Sequence, residues 1–267
     1  MSLSRIHSRL LPKMGKYAGI ELPLTFSKFN SRDVVINTRK PKFTTVFDVS
    51  HMGIYETNID LQPTKYNLEK LLHLDLDKLK SNKGKLAVIL DNNGRVIDDL
   101  IISNIENKKY RLVVNSGEKV DIFFDNFDSK NLKKINRSII ALQGDGSQNT
   151  LEKIINTSLN DLYFMENKVI ELDKFEICRC GYTGEDGFEL YLNDKYAEEI
   201  YEILVSLAED CEKTKVQFGG LIERDNLRTE AGLNLAGVEF GDNIDIKFSA
   251  LNMPFLVDKK YRTIYSK

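Results

Sequence analysis

Asp98 and Asp99 stand side by side in "RVIDDLII" (residues 95–102), among Val96, Ile97, Leu100, Ile101 and Ile102, all of which favour leaving water. Paired carboxylates are the raw material of acid–base chemistry, but only if something justifies placing charge in an apolar run. In a strand, alternate residues face opposite sides, so Asp98 goes with Val96 and Leu100 and Asp99 with Ile97 and Ile101. One of the two therefore enters an apolar layer. There it must find donors or a cation, or titrate upward. A raised pKa makes a proton acceptor near neutral pH, and satisfaction by neighbouring backbone amides is the structural alternative.

Glu189 raises the same question in "GFELYL", where alternation puts it on the face of Tyr191. The Gly181–Gly187 segment before it can let backbone amides approach a ligand, or can simply make a tight turn. It is not a phosphate loop, because it lacks the Lys-Ser/Thr ending and carries Glu185 and Asp186. Arg224 and Arg228 are spaced i, i+4, on one helical face. A planar guanidinium suits a carboxylate-bearing ligand, although Asp225 and Glu230 offer surface ion pairs instead.

Cys178 and Cys180 lie two apart on an expected strand, facing one side, and Cys211 is the third cysteine. So sparse and odd a set indicates buried free thiols in a reducing compartment rather than a disulfide framework. With three scattered histidines, no metal site is expected.

The elements that position these residues are legible in part. "KLAVILDNNGRVIDDLII" reads as two strands around Asn93-Gly94, a hairpin signal, with "KKYRLVVNS" as a third strand. "TKYNLEKLLHL" has helical spacing at Tyr66, Leu68, Leu71 and Leu72, "KVDIFFDNF" reads as a second helix, and "SIIALQG" as a strand. Strands interleaved with two helices indicate an α+β unit. Residues 174–192 read as another hairpin. A helix follows with Asp194 as N-cap and an apolar stripe of Tyr196, Ile200, Ile203, Leu204 and Leu207. "GGLIERDNLRTEAGL" is a further helix, stopped by Gly232.

A chain of 267 residues accommodates two domains, and its formal charge of −2 provides no field for nucleic acid or an anionic membrane. No apolar run reaches the ~18 residues of a membrane span. The basic N-terminus reads as the first segment of the fold, with the stub of a transit peptide as the alternative.

Six segments, "FDVSHMG" (47–53), "GRVIDDLIIS" (94–103), "LVVN" (112–115), "ALQG" (141–144), "GYTGEDGFE" (181–189) and "ERDNLRTEAGL" (223–233), follow one another in an order that resembles aminomethyltransferase, the T-protein of the glycine cleavage system. The likeness spans about residues 15–260. It implies an α+β, T-protein-like folate-binding fold. A discontinuous Greek-key-like β domain would cover 1–54 plus 136–240 and a ferredoxin-like domain 55–135, with 241–267 as the start of a C-terminal domain whose β-barrel is not represented.

The resemblance also implies a reaction, transfer of the methylene group of aminomethyl-dihydrolipoyl H-protein to tetrahydrofolate with release of ammonia. The family aspartate directly before Leu in "DDL" is Asp99 here, which would position and deprotonate the reacting folate nitrogen, leaving Asp98 as its structural partner. Glu189 and Arg224 match positions that hold the folate, and Asn115, Met52 and Tyr182 match positions that line the same pocket. The lipoylated H-protein and tetrahydrofolate are the expected partners, with no nucleic acid, membrane or metal. The expected compartment is mitochondrial in a eukaryote and cytoplasmic in a bacterium. The family's Gly-Gly is Gly94-Arg95, its aromatic residue in the preceding strand is Leu86, and its N-terminal Trp is Ile20. Two other readings stay open: a folate-binding homologue without transferase activity, motivated by the unrepresented C-terminal domain, and another folate-dependent one-carbon transferase or demethylase.

Overall fold

The computed structural model describes residues 7–58, 62–91, 95–106, 109–115, 131–171, 175–240 and 256–258. The chain divides into two compact units. Unit 1 comprises Met1–His51 and Asn136–Leu233, and unit 2 comprises Met52–Ile135 and Asn234–Lys267.

Unit 1 opens with a hairpin of β1 (Pro12–Tyr17) and β2 (Ile20–Phe26), followed by helix α1 (Ser31–Thr38). Its main sheet joins β3 (Thr44–Asp48), β9 (Ser138–Gln143), β10 (Asn167–Glu171), β11 (Phe175–Cys178), β12 (Gly187–Leu192) and β13 (Val216–Phe218) in the order β10-β11-β12-β9-β3-β13. Among the described pairings of this sheet only β13–β3 is parallel. β3, β9, β11 and β12 are buried along their whole length. Burial of every position is the mark of a sheet covered on both faces, in contrast to the alternating pattern of a half-exposed one, although β3 (TTVFD), β11 (FEIC) and β12 (GFELYL) each carry polar residues.

Helix α3 (Ser147–Ile155) packs on β3, β9 and β12, and α4 (Asp194–Glu209) packs on β9, β12 and β13. The residue capping α4 is Asn193, whose side chain accepts from the Tyr196 N–H at 3.1 Å, and not the expected Asp194. The buried stripe is also rotated: Ala197, Ile200, Tyr201, Leu204, Val205 and Ala208 face the core, while Ile203 is 45% exposed. The last helix of this unit, α5 (Leu221–Glu230), ends before Gly232, which has φ +72 as expected of a glycine past a helix end.

Unit 2 carries a five-stranded antiparallel sheet of β4 (Gly53–Asn58), β5 (Lys83–Leu90), β6 (Val96–Glu106), β7 (Lys109–Val114) and β8 (Lys133–Ile135), in the order β5-β6-β7-β4-β8. Helix α2 (Gln62–Leu72) buries Leu68, Leu71 and Leu72 against this sheet, but Tyr66, counted in its stripe, is 65% exposed. The β5–β6 pairing matches the expected hairpin. The Asn93-Gly94 turn itself, the "KVDIFFDNF" helix and most of 241–267 lie outside the described residues. Phe240, Leu256 and Val257 do appear, packed on Val88, Leu90 and Val96.

One buried ion pair lies within this sheet. Arg111 on β7 faces Glu56 across the β4–β7 pairing and donates through Nε at 3.0 Å, its side chain only 1% exposed. A charge so placed is costly to strand. Arg111→Met is expected to lower unfolding free energy by about 3 kcal/mol, near the low end for a broken buried pair because Lys109 also lies 3.3 Å from Glu56. Urea denaturation checks this, and adding Glu56→Gln should restore part of the loss.

Candidate active site

The candidate residues of unit 2 collect at one end of its sheet because of register. Gly53 of β4 pairs with Val114 of β7, and Val114 also pairs with Leu100 of β6. Met52, Asn115 and Asp99, each one step beyond these partners, are therefore brought to the same edge by strand pairing. The alternation expected of this strand holds: Asp98 is 4% exposed, with Val96 and Leu100 buried beside it in the sequence pattern, while Asp99 is half-buried with Ile97 and Ile101.

This placement changes which carboxylate needs explaining. Asp98 carries the burial cost, and its Oδ1 accepts the Asp99 N–H at 2.9 Å and the Asn115 amide at 3.4 Å. The same Asn115 amide donates to the Asp99 carbonyl at 3.2 Å and to Asp99 Oδ1. Asp98 thus ties the backbone that presents Asp99, which is itself half-buried. A half-buried carboxylate beside one that is tied down is of a type that can accept a proton from a ligand.

In unit 1, Glu189 sits mid-sheet on β12, between Cys178 of β11 and Ala141 of β9, and is 4% exposed. Tyr191, two residues on and therefore on the same face, donates its hydroxyl to Glu189 Oε2 at 3.2 Å. Burial pushes the Glu189 carboxyl up from the ordinary carboxylate value, opposed by the charge of Arg224 and by hydrogen bonds from Cys180 and Tyr191. Arg224, on α5, lies over the Tyr182 ring with its guanidinium carbon 4.8 Å from the centroid. A stacked guanidinium is oriented as well as charged, which favours planar, electron-rich ligands. Glu189, Arg224 and Tyr182 thus form one group.

Arg228 does not join it. This guanidinium is buried, donates to Asp225 at 2.8 Å and to the Leu233 carbonyl at 3.0 Å, and so closes the C-terminus of α5. Glu230 pairs with Arg39 instead, at 2.6 Å.

The glycines of the 181–187 loop answer to packing. A Cβ at Gly181 or Gly187 would lie 1.9 and 2.4 Å from the side chain of Gln143, and Gly184 has φ +79. Gln143 anchors the loop by donating to the Cys180 carbonyl at 3.1 Å and accepting from the Thr183 hydroxyl at 2.8 Å. Of the two readings of the loop, the tight turn is the one these contacts supply. Sequence patterns do not single out Gln143, since nothing in "ALQG" marks one amide as an anchor.

A second residue that sequence patterns pass over is His51, inside the "FDVSHMG" segment. It is buried, edge-on to Tyr17 with ring centroids 4.8 Å apart, and its Nδ1 has no hydrogen-bond partner among the described residues. Burial, and then the charge of Arg224, push its pKa down to about 3. Asp48, upstream in the same segment, has its Oδ2 3.2 Å from His7 Nε2. Burial would raise the Asp48 carboxyl, but His7 and the Ser50 N–H outweigh it and hold the carboxyl below its usual value.

Cys178 and Cys180 are buried free thiols as expected, although β11 ends at Cys178; Cys211 is only partly buried. Among the described residues no group of three or more His, Cys, Asp or Glu side chains could hold a metal ion, and no helix is long and apolar enough to cross a membrane. A cleft of about 810 Å³ elsewhere in unit 1, lined by Lys42, Lys153, Lys213 and Lys215 among others, contains none of the candidate residues.

With this geometry in place, comparison with known proteins is direct. The profile of the GCVT N-terminal domain matches residues 3–260. The chain belongs to this family. Curated members similar to it include the mitochondrial aminomethyltransferase of Dictyostelium discoideum, 30% identical over 98% of this chain and 67% of that protein. The aminomethyltransferase of Thermoanaerobacter pseudethanolicus is 32% identical over 87% of this chain and 63% of that protein. Among solved structures, the glycine cleavage system aminomethyltransferase T of Bartonella henselae superposes with a TM-score of 0.84 at 28% identity, over 98% of this chain and 70% of that one. The GCVT-family chain described here thus spans about two thirds of the length of the curated relatives it matches. Its α+β architecture is that of a glycine cleavage T-protein.

Proposed function

We propose that this protein is a tetrahydrofolate-dependent aminomethyltransferase of the glycine cleavage system. The observation that carries the reading is the division of labour within the Asp98–Asp99 pair, in which one carboxylate is spent on holding the strand and the adjacent residue is only half-buried. Family membership and the names of the relatives agree with it.

The substrates in this reading are tetrahydrofolate and the aminomethyl-dihydrolipoyl arm of H-protein. Asp99 orients the folate amine and accepts its proton as that nitrogen attacks the methylene carbon. Ammonia leaves, 5,10-methylenetetrahydrofolate forms, and the lipoyl arm is left reduced. Asn115 steadies Asp99 through its amide. Glu189, its carboxyl pushed toward the protonated form, suits N–H donors and acceptors of a pterin, and Arg224 stacked on Tyr182 suits a planar or carboxylate-bearing group. Met52, buried at the edge where β4 begins, supplies an apolar wall. The compartment follows the source, mitochondrial in a eukaryote and cytoplasmic in a bacterium.

Calorimetric titration with tetrahydrofolate under reducing conditions tests the binding part. Micromolar affinity is expected for the wild type, with Glu189→Ala reducing it at least tenfold. Ammonia release from aminomethylated H-protein tests the transfer. Absence of tetrahydrofolate binding by the wild type overturns the reading, and binding without ammonia release reduces the protein to a folate-binding homologue.

A further inference from the structure

The stack of Arg224 on Tyr182 is assembled from two elements that are anchored separately. On the loop side, the Thr183 hydroxyl donates to Gln143 of β9 at 2.8 Å and accepts from the Glu185 N–H at 3.3 Å. On the helix side, Glu223 accepts from the Gly220 N–H at 2.7 Å and from the Thr25 hydroxyl of β2 at 2.7 Å. These bonds fix each partner to its own strand. They do not set the gap between the Tyr182 ring and the Arg224 guanidinium.

Arg39 joins the two sides. Its Nη1 lies 2.6 Å from Oε2 of Glu230, the last residue of α5, and its Nε lies 3.7 Å from Oε1 of Glu185 in the loop. One guanidinium thus ties loop to helix, with its charge at the end of α5 where the helix dipole is negative. The backbones meet at the same seam: a Cβ on Gly184, which has φ +79, would lie 2.8 Å from the Ala231 Cβ. The link therefore has only to hold the two elements together, since they already touch.

The arginine is presented from a rigid base. It follows α1 directly, and its N–H bonds the Ile36 and Asn37 carbonyls. Thr38, fully buried, shares a 2.7 Å hydrogen bond with Thr45 of β3. Gln217 of β13 donates to the Val34 carbonyl at 3.0 Å and to Thr45 at 2.9 Å. The end of α1 is thereby fixed to the sheet. The ion pairs themselves are partly solvated, with the Arg39 side chain 33% exposed and those of Glu185 and Glu230 30% and 55%. Pairs of this kind add little to global stability, so their effect is local.

We propose that Arg39 is a positioning residue for the Tyr182–Arg224 stack. By holding Glu185 and Glu230 together it sets the spacing at which the guanidinium covers the ring. With that spacing it sets the affinity for the planar ligand, the pteridine of tetrahydrofolate on the reading above. The inference rests on that reading only for the ligand, because the stack is a property of the ligand-free protein. Arg39 acts through the stack and not on the reacting atoms, so the chemical step has no share in its effect.

The test reads the stack directly. A guanidinium N–H held over an aromatic ring is shifted upfield by the ring current, and the Arg224 Nε–H signal is identified in ¹H–¹⁵N spectra by its loss in Arg224→Lys. Tyr182→Leu marks where that signal falls without the ring, and Arg39→Gln is expected to move it clearly toward that position. Tetrahydrofolate affinity should fall about fivefold in Arg39→Gln, the scale of one or two partly exposed ion pairs. KM should rise with it, while kcat at saturating tetrahydrofolate and Tm stay close to the wild type. Glu185→Gln and Glu230→Gln should each cost part of this affinity in the wild-type background and almost none in Arg39→Gln. An unmoved Arg224 signal in a folded Arg39→Gln overturns the inference. So does a loss of affinity accompanied by an equal fall in kcat and a lowered Tm, which marks a general defect of the fold. Should Arg39→Gln not fold, Glu185→Gln decides by the same signal. A moved signal where the wild type binds no tetrahydrofolate supports the positioning role and removes the folate reading. An unmoved signal where the wild type does bind it does the reverse.

Discussion

Replacing Asp99 by Asn is expected to lower aminomethyl transfer by about 10²–10⁴-fold, the usual cost of losing one positioned acid–base group. The substitution is close to isosteric. Its carbonyl oxygen can still accept from the Asn115 amide, which now binds both the Asp99 side chain and the Asp99 backbone. Asp98, which carries the burial cost and ties the Asp99 N–H, is untouched. Stability should therefore change little, and the Tm should stay within a few degrees of the wild type. The two measurements together are decisive, because a structural role would move both and a catalytic role only the rate. Full ammonia release by a folded Asp99→Asn protein refutes the assignment. Asp98→Asn should behave in the opposite way, with its larger effect on Tm.

Acid stability supplies the second large effect. Burial, and then the charge of Arg224, depress the folded pKa of His51 to about 3 from a reference near 6.5. The unfolded chain therefore binds a proton below pH 6.5 that the folded chain refuses, and stability must fall as pH falls through that window. The contribution is fully present above pH 6.5. It declines by up to about 1.4 kcal/mol per pH unit below that and levels off only near the folded pKa. Urea midpoints measured between about pH 7.5 and 4.5 should show this slope in the wild type and a clearly shallower one in His51→Gln, which keeps a polar side chain without a titrating group, the remainder coming from His73, whose pKa burial pushes down to about 4. Asp48 works in the same direction at lower pH: its folded pKa is depressed, so its share is lost as pH falls below the ordinary carboxylate range. An identical slope in wild type and His51→Gln would mean that His51 takes up its proton readily in the folded state.

Much of this chemistry is legible in the sequence because it depends on short-range periodicity. The period of two in "RVIDDLII" is enough to place Asp98 and Asp99 on opposite faces of a strand, and pairing of β5 with β6 follows from the two β-rich runs that flank residues 92–94. The start of α4 and the rotation of its stripe are less legible. Asn193 and Asp194 are both good caps, and which one makes the bond depends on the φ and ψ at which the chain leaves β12. Ile203 and Tyr66 fit helical spacing yet face outward, because a stripe is buried only where another element covers it.

By itself the sequence determined the α+β class, the order of the strands around the two aspartates, the free state of the cysteines and, through its six segments, the family. These are consequences of local pattern and of residue type. Only the tertiary structure decided that Asp98 is the carboxylate sunk in the strand and that Asn115 reaches both aspartates. It also decided that Arg228 is a helix closure while Arg224 stacks on Tyr182, and that the glycine-rich loop is moulded on Gln143. Each of these joins residues distant in sequence through sheet register or side-chain packing. No local pattern encodes a distance of that kind, because burial, hydrogen-bond partners and electrostatic neighbours exist only once the strands have paired.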